Sequence, residues 1–375
     1  LRSLVGSEMC IRDRNNINCG IITHYDVHNH GAVLQLFALI KVLRKDFNIE
    51  AKALTFEKNY DFIDQELKSK YELSLKSIPI YLKYLKERGI GAMVYNIRKR
   101  QTLEHFRSKE NIIGQHYRSY KALQHVIIGS DEVFALHTGP TPVFYGHALP
   151  TKKVFSYAGS FGPTNLEDVY NLNCDSLVKS GFQRMSGISV RDQNSKDIVR
   201  SITGMEVPVV VDPVLLYGYC DEISGQSRHI SDKYLIVYAY DRRMNDAKEV
   251  EAIKEFAHQK GLTIVSPGFY HKWVDKNINV DPIELLGWFK HAEYVITDTF
   301  HGSVMSLITN RPFSVIVRDN SNKVINLLRE YNLESRVVGV LKSDLLVHYD
   351  NVIDYATTND TVSYTHLTLP TTPYV

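Results

Sequence analysis

The chain is poor in cysteine, with four in 375 residues (Cys10, Cys19, Cys174 and Cys220) and no two at a metal or redox spacing. Neither a disulfide framework nor a zinc site can organise it, and thiols kept reduced in a cytoplasmic protein are the expectation. Long apolar runs are missing as well. No stretch approaches the roughly 18 consecutive apolar residues that suggest a membrane span. Charge of one sign is also lacking. The formal net charge is only +2, which gives no electrostatic case for nucleic acid. No repeat of fixed period and no low-complexity tract is found. What is present is 44% hydrophobic and 23% charged residues, an ordinary globular composition. At roughly 150 residues per domain, the length predicts two domains.

The two ends read differently from the rest. Residues 4–13 (LVGSEMCIRD) resemble the in-frame translation of a sequencing adapter, and residues 362–371 (VSYTHLTLPT) resemble the opposite adapter read from the other strand. Residues 1–14 and 361–375 are therefore set aside, leaving about Asn15 to Asp360 for the fold.

Between these ends, short β-rich runs alternate with helical patterns. Cys19 to Thr23 reads as a buried strand, followed by a polar loop, Tyr25 to Gly31. Val33, Leu36, Phe37, Ile40 and Leu43 then recur at helical spacing over Ala32 to Phe47, and Ala53 to Phe56 is the next strand. This strand–helix–strand unit implies a parallel crossover. Residues 60–122 are rich in Lys, Arg and Tyr and read as a helical insertion in the first domain, its basic side chains forming a solvated face, with contact to an acidic glycan as the lesser alternative. Strands resume at Val126 to Ile128, Lys153 to Tyr157, Ile188 to Val190 and Val207 to Val211. Residues 213–232, rich in Tyr, Gly and Ser, read as a linker. The alternation restarts with strands at Tyr234 to Tyr240, Leu262 to Ser266, Tyr294 to Thr297 and Phe313 to Val317, and helices over 245–260, 283–292 and 303–310. The expected architecture is α/β: two Rossmann-like domains facing across a cleft, 15–212 and 233–360, arranged in a GT-B-like way. In open α/β sheets ligands bind beyond the carboxyl ends of the strands, so chemistry is sought in the loops that follow them.

Four such loops are polar. The first holds Asn29 and Gly31, with Gln35 one turn into the helix. Gly31 would let the backbone approach a ligand, and a helix start favours an anion. Gly-x-Gly-x-x-Gly is absent there, so a dinucleotide has no support. The second loop is Gly129-Ser130-Asp131-Glu132, where Asp131 either orients a sugar hydroxyl, acts as a base, or caps the next helix. The small residues Ser156 to Gly162 suit a tight ligand wall. The last is Ser189-Val190-Arg191-Asp192. Its guanidinium suits phosphate or carboxylate, the alternative being a salt bridge to Asp192 or between domains.

A fifth loop, Asp298-Thr299-Phe300-His301-Gly302, follows the strand ending at Thr297, with Ser303 expected to cap the helix beyond it. This aims helix N–H groups at the loop, and His301 is the side chain there able to move a proton near neutral pH.

Taken in order from about Cys19 to Val338, these segments resemble the polysaccharide pyruvyl transferase family. They are Gly20 to Thr23 with Asn29, Gly31-Ala32 and Leu34-Gln35; Ile128 to Asp131; Ser156 to Ala158; Ser189 to Asp192; Asp212-Pro213; and Asp298 to Gly302. The resemblance implies transfer of a pyruvyl group from phosphoenolpyruvate to a sugar of a surface polysaccharide or wall polymer, giving a ketal and releasing phosphate. It implies no metal or organic cofactor, only phosphoenolpyruvate as co-substrate. The partner is a glycan or lipid-linked saccharide, and the location cytoplasmic, at most peripheral on the inner face of the membrane. It carries over His301 as acid/base and Arg191 as anion clamp facing it. Asp131 is the second catalytic candidate, and Asn29, Gly31, Gln35, Ser130, Gly302 and Ser303 are substrate contacts. Family members place an arginine two residues before the histidine, where this chain has Thr299; Arg311 or Arg318 is the substitute on offer. Two other readings stay open: a sugar-nucleotide glycosyltransferase, for which Glu284 is the one candidate to grip a ribose, and a non-catalytic glycan-binding relative.

Overall fold

The computed structural model describes residues 17–57, 78–121, 123–137, 139–228, 230–318, 322–339, 342–351 and 353–355. The two adapter-like ends and the start of the basic insertion lie outside the described residues.

The chain divides into two units by contact. Among the described residues, the first comprises 17–27, 32–57 and Arg107–Pro213. The second comprises His28–Gly31, the insertion helix as far as Phe106, and Val214 onward.

The first unit is built on β1 (Cys19–Ile22), β2 (Ala51–Thr55), β3 (Ile113–His116), β4 (His125–Asp131), β5 (Val154–Gly159) and β6 (Gly187–Val190). They pair in the order β3-β2-β1-β4-β5-β6, every pair parallel. This is the strand order of a Rossmann sheet. Parallel strands are covered on both faces, which is why β1 reads CGII and is buried throughout. Helix α1 (His30–Phe47) makes the first crossover. The core gathers Ile22, Val126 and Ile128 from the sheet with Phe134, Phe161 and Phe182 beside it.

The second unit repeats the plan. Its strands are β7 (Tyr234–Tyr238), β8 (Thr263–Pro267), β9 (Lys276–Ile278), β10 (Tyr294–Thr297), β11 (Phe313–Ile316) and β12 (Val337–Val338). They pair in the order β12-β11-β10-β7-β8-β9, again all parallel. Renumbered from β7, this is the same order as in the first unit. Helix α2 (Ile78–Lys109), kinked at Gly89, packs with this unit through Phe106. No described helix is long and apolar enough to cross a membrane.

Three expectations are corrected. Val207 to Val211 is not a strand; only Val209 bridges to Val190, because Pro208 lacks the N–H that a ladder needs. Residues 213–232 carry two short helices, Pro213–Tyr217 and Cys220–Ser224. The basic insertion is not wholly a solvated face, since Lys99 and Arg107 are buried. Ala92, Tyr95, Lys99, Leu103 and Phe106 form the buried stripe of α2 at helical spacing.

Each sheet reverses its order once, between β1 and β4 and between β7 and β10, and at such a reversal the loops diverge and leave a crevice. The candidate sites follow from these two places.

Candidate active site

At the reversal in the first unit, Gln35 reaches back from α1 to lock the two strand ends together. Its amide nitrogen donates to Thr23 Oγ1 (3.1 Å) and its oxygen accepts from the Ser130 hydroxyl (2.8 Å) and backbone N–H (3.2 Å). All three residues are fully buried. Gln35 and Ser130, expected to meet substrate, have these groups engaged with one another. They fix the strand ends that carry Asp131.

Asp131 does not cap a helix. It ends β4 with a positive φ of 77°, a conformation costly for a non-glycine residue, and its carboxylate pairs with the Arg191 guanidinium at 3.4 Å. Arg191 in turn donates to Asp212 at 2.9 Å. Its expected partner Asp192 instead caps the following helix (Gln193–Thr203), accepting from Ser195 N–H, and accepts the Ser160 hydroxyl at 2.5 Å. The Arg191 side chain is 3% exposed, so its pairing decides its role. Desolvation disfavours its charge, and Asp131 and Asp212 more than offset this. One guanidinium therefore lies among three carboxylates, with Asp131 and Asp212 as its direct partners.

At the reversal in the second unit lies the histidine corner. Helix α10 is the one over Phe300–Ile308, counting the helices of Leu166–Asn171, Asp175–Phe182, Gln193–Thr203, Pro213–Tyr217, Cys220–Ser224, Ala247–Lys260 and Pro282–His291 as α3 to α9. Thr299, not Ser303, is its N-cap: Thr299 Oγ1 accepts from Gly302 N–H at 2.9 Å and sits 3.1 Å from Thr297 Oγ1. The Thr297 hydroxyl donates to Tyr238 O at 2.7 Å, which ties the corner to β7. Ser303 is fully buried and its hydroxyl donates to Thr299 O. The Gly302 and Ser303 donors expected for a ligand are thus engaged at Thr299. A Cβ on Gly302 would lie 2.8 Å from Thr299 Oγ1, so glycine is required by packing. Threonine where an arginine was expected has a local cause: a guanidinium cannot accept the helix's N–H.

Gly31 and His301 come together. A Cβ on Gly31 would stand 2.7 Å from the His301 Cβ and closer still to its ring. Glycine therefore lets the backbone approach the imidazole. Asn29 precedes it as a cap, its Oδ1 accepting Gly31 N–H at 2.8 Å while its amide nitrogen donates to the Tyr240 hydroxyl at 3.3 Å.

Beside His301, Asp298 is buried, with Arg318 Nε at 3.4 Å and Arg243 Nη1 at 3.8 Å. Burial raises its pKa to about 6, against the pull of Arg243 and Arg318. Arg318 also grips Glu249 with two bonds, at 2.5 and 2.9 Å. Of the two arginines offered in place of the missing one, Arg318 stands at the corner, its guanidinium held by Glu249 and Asp298. Arg311 does not: it donates to Thr309 O and to Ala292 O, at the other end of β10.

Next to the corner, a groove of about 470 Å³ opens beyond β7. Its wall includes Lys99 and Asn96 from α2, Phe269, and the run Tyr240-Asp241-Arg242-Arg243. Sequence reasoning passed over these residues. Two signals could have found them: a charged run at the end of an all-apolar strand, and a lysine on the apolar stripe of a helix.

A family model of polysaccharide pyruvyl transferases matches residues 29–320. The chain belongs to the polysaccharide pyruvyl transferase family. It is thereby a member of a transferase family, and the match spans both units. No curated protein sequence matches it. Among solved structures, a UDP-N-acetylglucosamine 2-epimerase superposes with a TM-score of 0.50 at 11% identity, over 92% of this chain and 89% of that one. The UDP-GlcNAc 2-epimerase of Neisseria meningitidis bound to UDP-GlcNAc gives 0.49 at 12% identity, over 94% and 98% of the two chains. That of Methanocaldococcus jannaschii gives 0.49 at 14% identity, over 90% and 92%. The first of these likenesses supports the two-domain α/β, Rossmann-like fold and nothing further. Glu284, the one carboxylate offered for a ribose, is instead half of a capping box: it accepts from Asp281 N–H at 3.0 Å while Asp281 caps its helix. Among the described residues no cluster of His, Cys, Asp and Glu could hold a metal ion.

Proposed function

We propose that this family member transfers the pyruvyl group of phosphoenolpyruvate to a sugar of a surface polysaccharide or wall polymer. A proton is added to the methylene carbon, which makes the central carbon electrophilic. A sugar hydroxyl forms a C–O bond there and gives up its proton, the C–O bond to phosphate breaks, and a second hydroxyl closes the ketal, its proton passing to the released phosphate. The products are the pyruvate ketal and inorganic phosphate, and no cofactor beyond phosphoenolpyruvate takes part. His301 is the proton donor. In the first unit, Asp131, held by Arg191, is the carboxylate offered to an acceptor hydroxyl, and the acceptor is a glycan or lipid-linked saccharide.

The observation that carries this reading is the corner at the end of β10. The imidazole is seated against Gly31, where nothing larger fits, and two guanidinium groups, Arg243 and Arg318, stand at the adjoining Asp298. Protonation of a phosphorylated enol requires an acid–base group and cationic cover, and this corner supplies an imidazole and, at Asp298 three residues before it, two guanidinium groups.

The test is phosphate release from phosphoenolpyruvate with a panel of oligosaccharide and lipid-linked acceptors. Acceptor-dependent release is expected, and His301→Ala should lower it by about 10²–10⁴-fold. Turnover of a sugar nucleotide with no release from phosphoenolpyruvate would overturn the reading.

A further inference from the structure

We propose that Lys99 and Arg243 form an anion subsite in the second unit that holds the phosphate group of a reaction ligand. This deepens the pyruvyl transfer reading and rests on it for the identity of that ligand.

Lysine is rarely buried without a partner. Lys99 is 5% exposed, on the buried stripe of α2, whose other members, Ala92, Tyr95, Leu103 and Phe106, are hydrophobic. Its ammonium lies 4.0 Å over the Phe269 ring and makes no hydrogen bond or ion pair among the described residues. The carboxylate that acts on it electrostatically is Asp241, which already accepts from Asn96 Nδ2 at 3.0 Å and Tyr270 N–H at 3.2 Å. Burial lowers the Lys99 pKa to about 8, so the side chain still carries its proton at neutral pH. His30, also fully buried, does not compete for the charge. Burial and then Lys99 push its pKa down to about 3, and its Nε2 bonds Val280 O at 2.9 Å.

A buried cation of this kind lines the groove beyond β7, together with Arg242 and Arg243. Three cations line it with one carboxylate, Asp241, and a second, Asp298, stands 3.8 Å from Arg243. Arg243 lies over the Tyr240 ring at 5.2 Å, with its side chain 40% exposed, and its other neighbour is Asp298 at the histidine corner. The volume, about 470 Å³, is within the range of small-molecule sites. Ammonium, guanidinium and the aromatic rings of Phe269 and Tyr240 together suit a phosphate attached to a small organic body. Two reaction ligands carry one: phosphoenolpyruvate itself, and an acceptor sugar joined to its carrier through phosphate.

The experiment is calorimetric titration of the full chain, wild type, Lys99→Met and Arg243→Gln, with phosphoenolpyruvate, a sugar 1-phosphate and an uncharged methyl glycoside. Circular dichroism checks that each variant is folded, and Arg243→Gln, at a part-exposed position, keeps the test open if Lys99→Met does not fold. Each substitution should weaken phosphate-ligand binding about 10-fold or more and leave the glycoside unaffected. Loss confined to phosphoenolpyruvate assigns the subsite to the donor, and loss confined to the sugar phosphate assigns it to the acceptor. No binding of either phosphate ligand to wild type, or equal binding to the variants, overturns the subsite. Variant-sensitive binding without phosphate release from phosphoenolpyruvate would keep the subsite and overturn the pyruvyl reading. Release of phosphate with variant-insensitive binding would do the reverse.

Discussion

Replacing Gly31 with alanine sets two effects of opposite sign against each other. Alanine is favoured over glycine inside a helix by about 1 kcal/mol, so helix propensity alone predicts a slightly stabilised protein with normal activity. The tertiary structure predicts otherwise. The new methyl would stand 2.3 Å from the His301 Cγ, whereas ordinary contact begins near 3.4 Å, so the imidazole must retreat by the difference of 1.1 Å. Overpacking of this kind costs about 1–3 kcal/mol, which leaves a net loss of roughly 0–2 kcal/mol after the propensity gain. Catalysis is more sensitive, because a displacement of about 1 Å costs on the order of 10²-fold. Phosphate release from phosphoenolpyruvate should therefore fall about 10²-fold while urea unfolding shifts only modestly. Because the damage passes through the imidazole, Gly31→Ala combined with His301→Ala should be no slower than His301→Ala alone. A folded Gly31→Ala protein that turns over at the wild-type rate would refute the reasoning, as would full additivity in the double variant.

Two further outcomes follow from the same contacts. Arg191→Ala takes the guanidinium away from the buried Asp212 and the partly buried Asp131, so chemical denaturation should show a loss of about 3–5 kcal/mol. Unchanged stability with only a raised KM for phosphoenolpyruvate would restore Arg191 as an anion clamp. Thr299→Ala removes the cap of α10 and should cost about 1 kcal/mol, while Thr299→Ser, which keeps the hydroxyl, should cost less; equal loss in thermal melts of both variants would contradict the capping role.

The apolar runs at Cys19 to Thr23, Val126 to Ile128, Tyr234 to Tyr240 and Tyr294 to Thr297 determined the inner strands of both sheets. Parallel strands covered on both faces must be apolar along their whole length, and that is a local signal. The histidine corner was legible for the same reason, as a polar loop between such a strand and a helix. The edge strands β3, β9 and β12 were not legible, since IGQH, KNI and VV are short and mixed in polarity. Side-chain roles were the other thing that sequence left open. Asn29, Gln35, Ser130 and Ser303 are polar residues near strand ends, and polarity alone does not separate a group that meets a ligand from one that satisfies a neighbour. Partners 95 residues apart, as for Gln35 and Ser130, decide that question. Lys99 is the converse case. Its place on the apolar stripe of α2 was the one local signal, and the packing of α2 in the second unit is what turned it into a cation facing a groove.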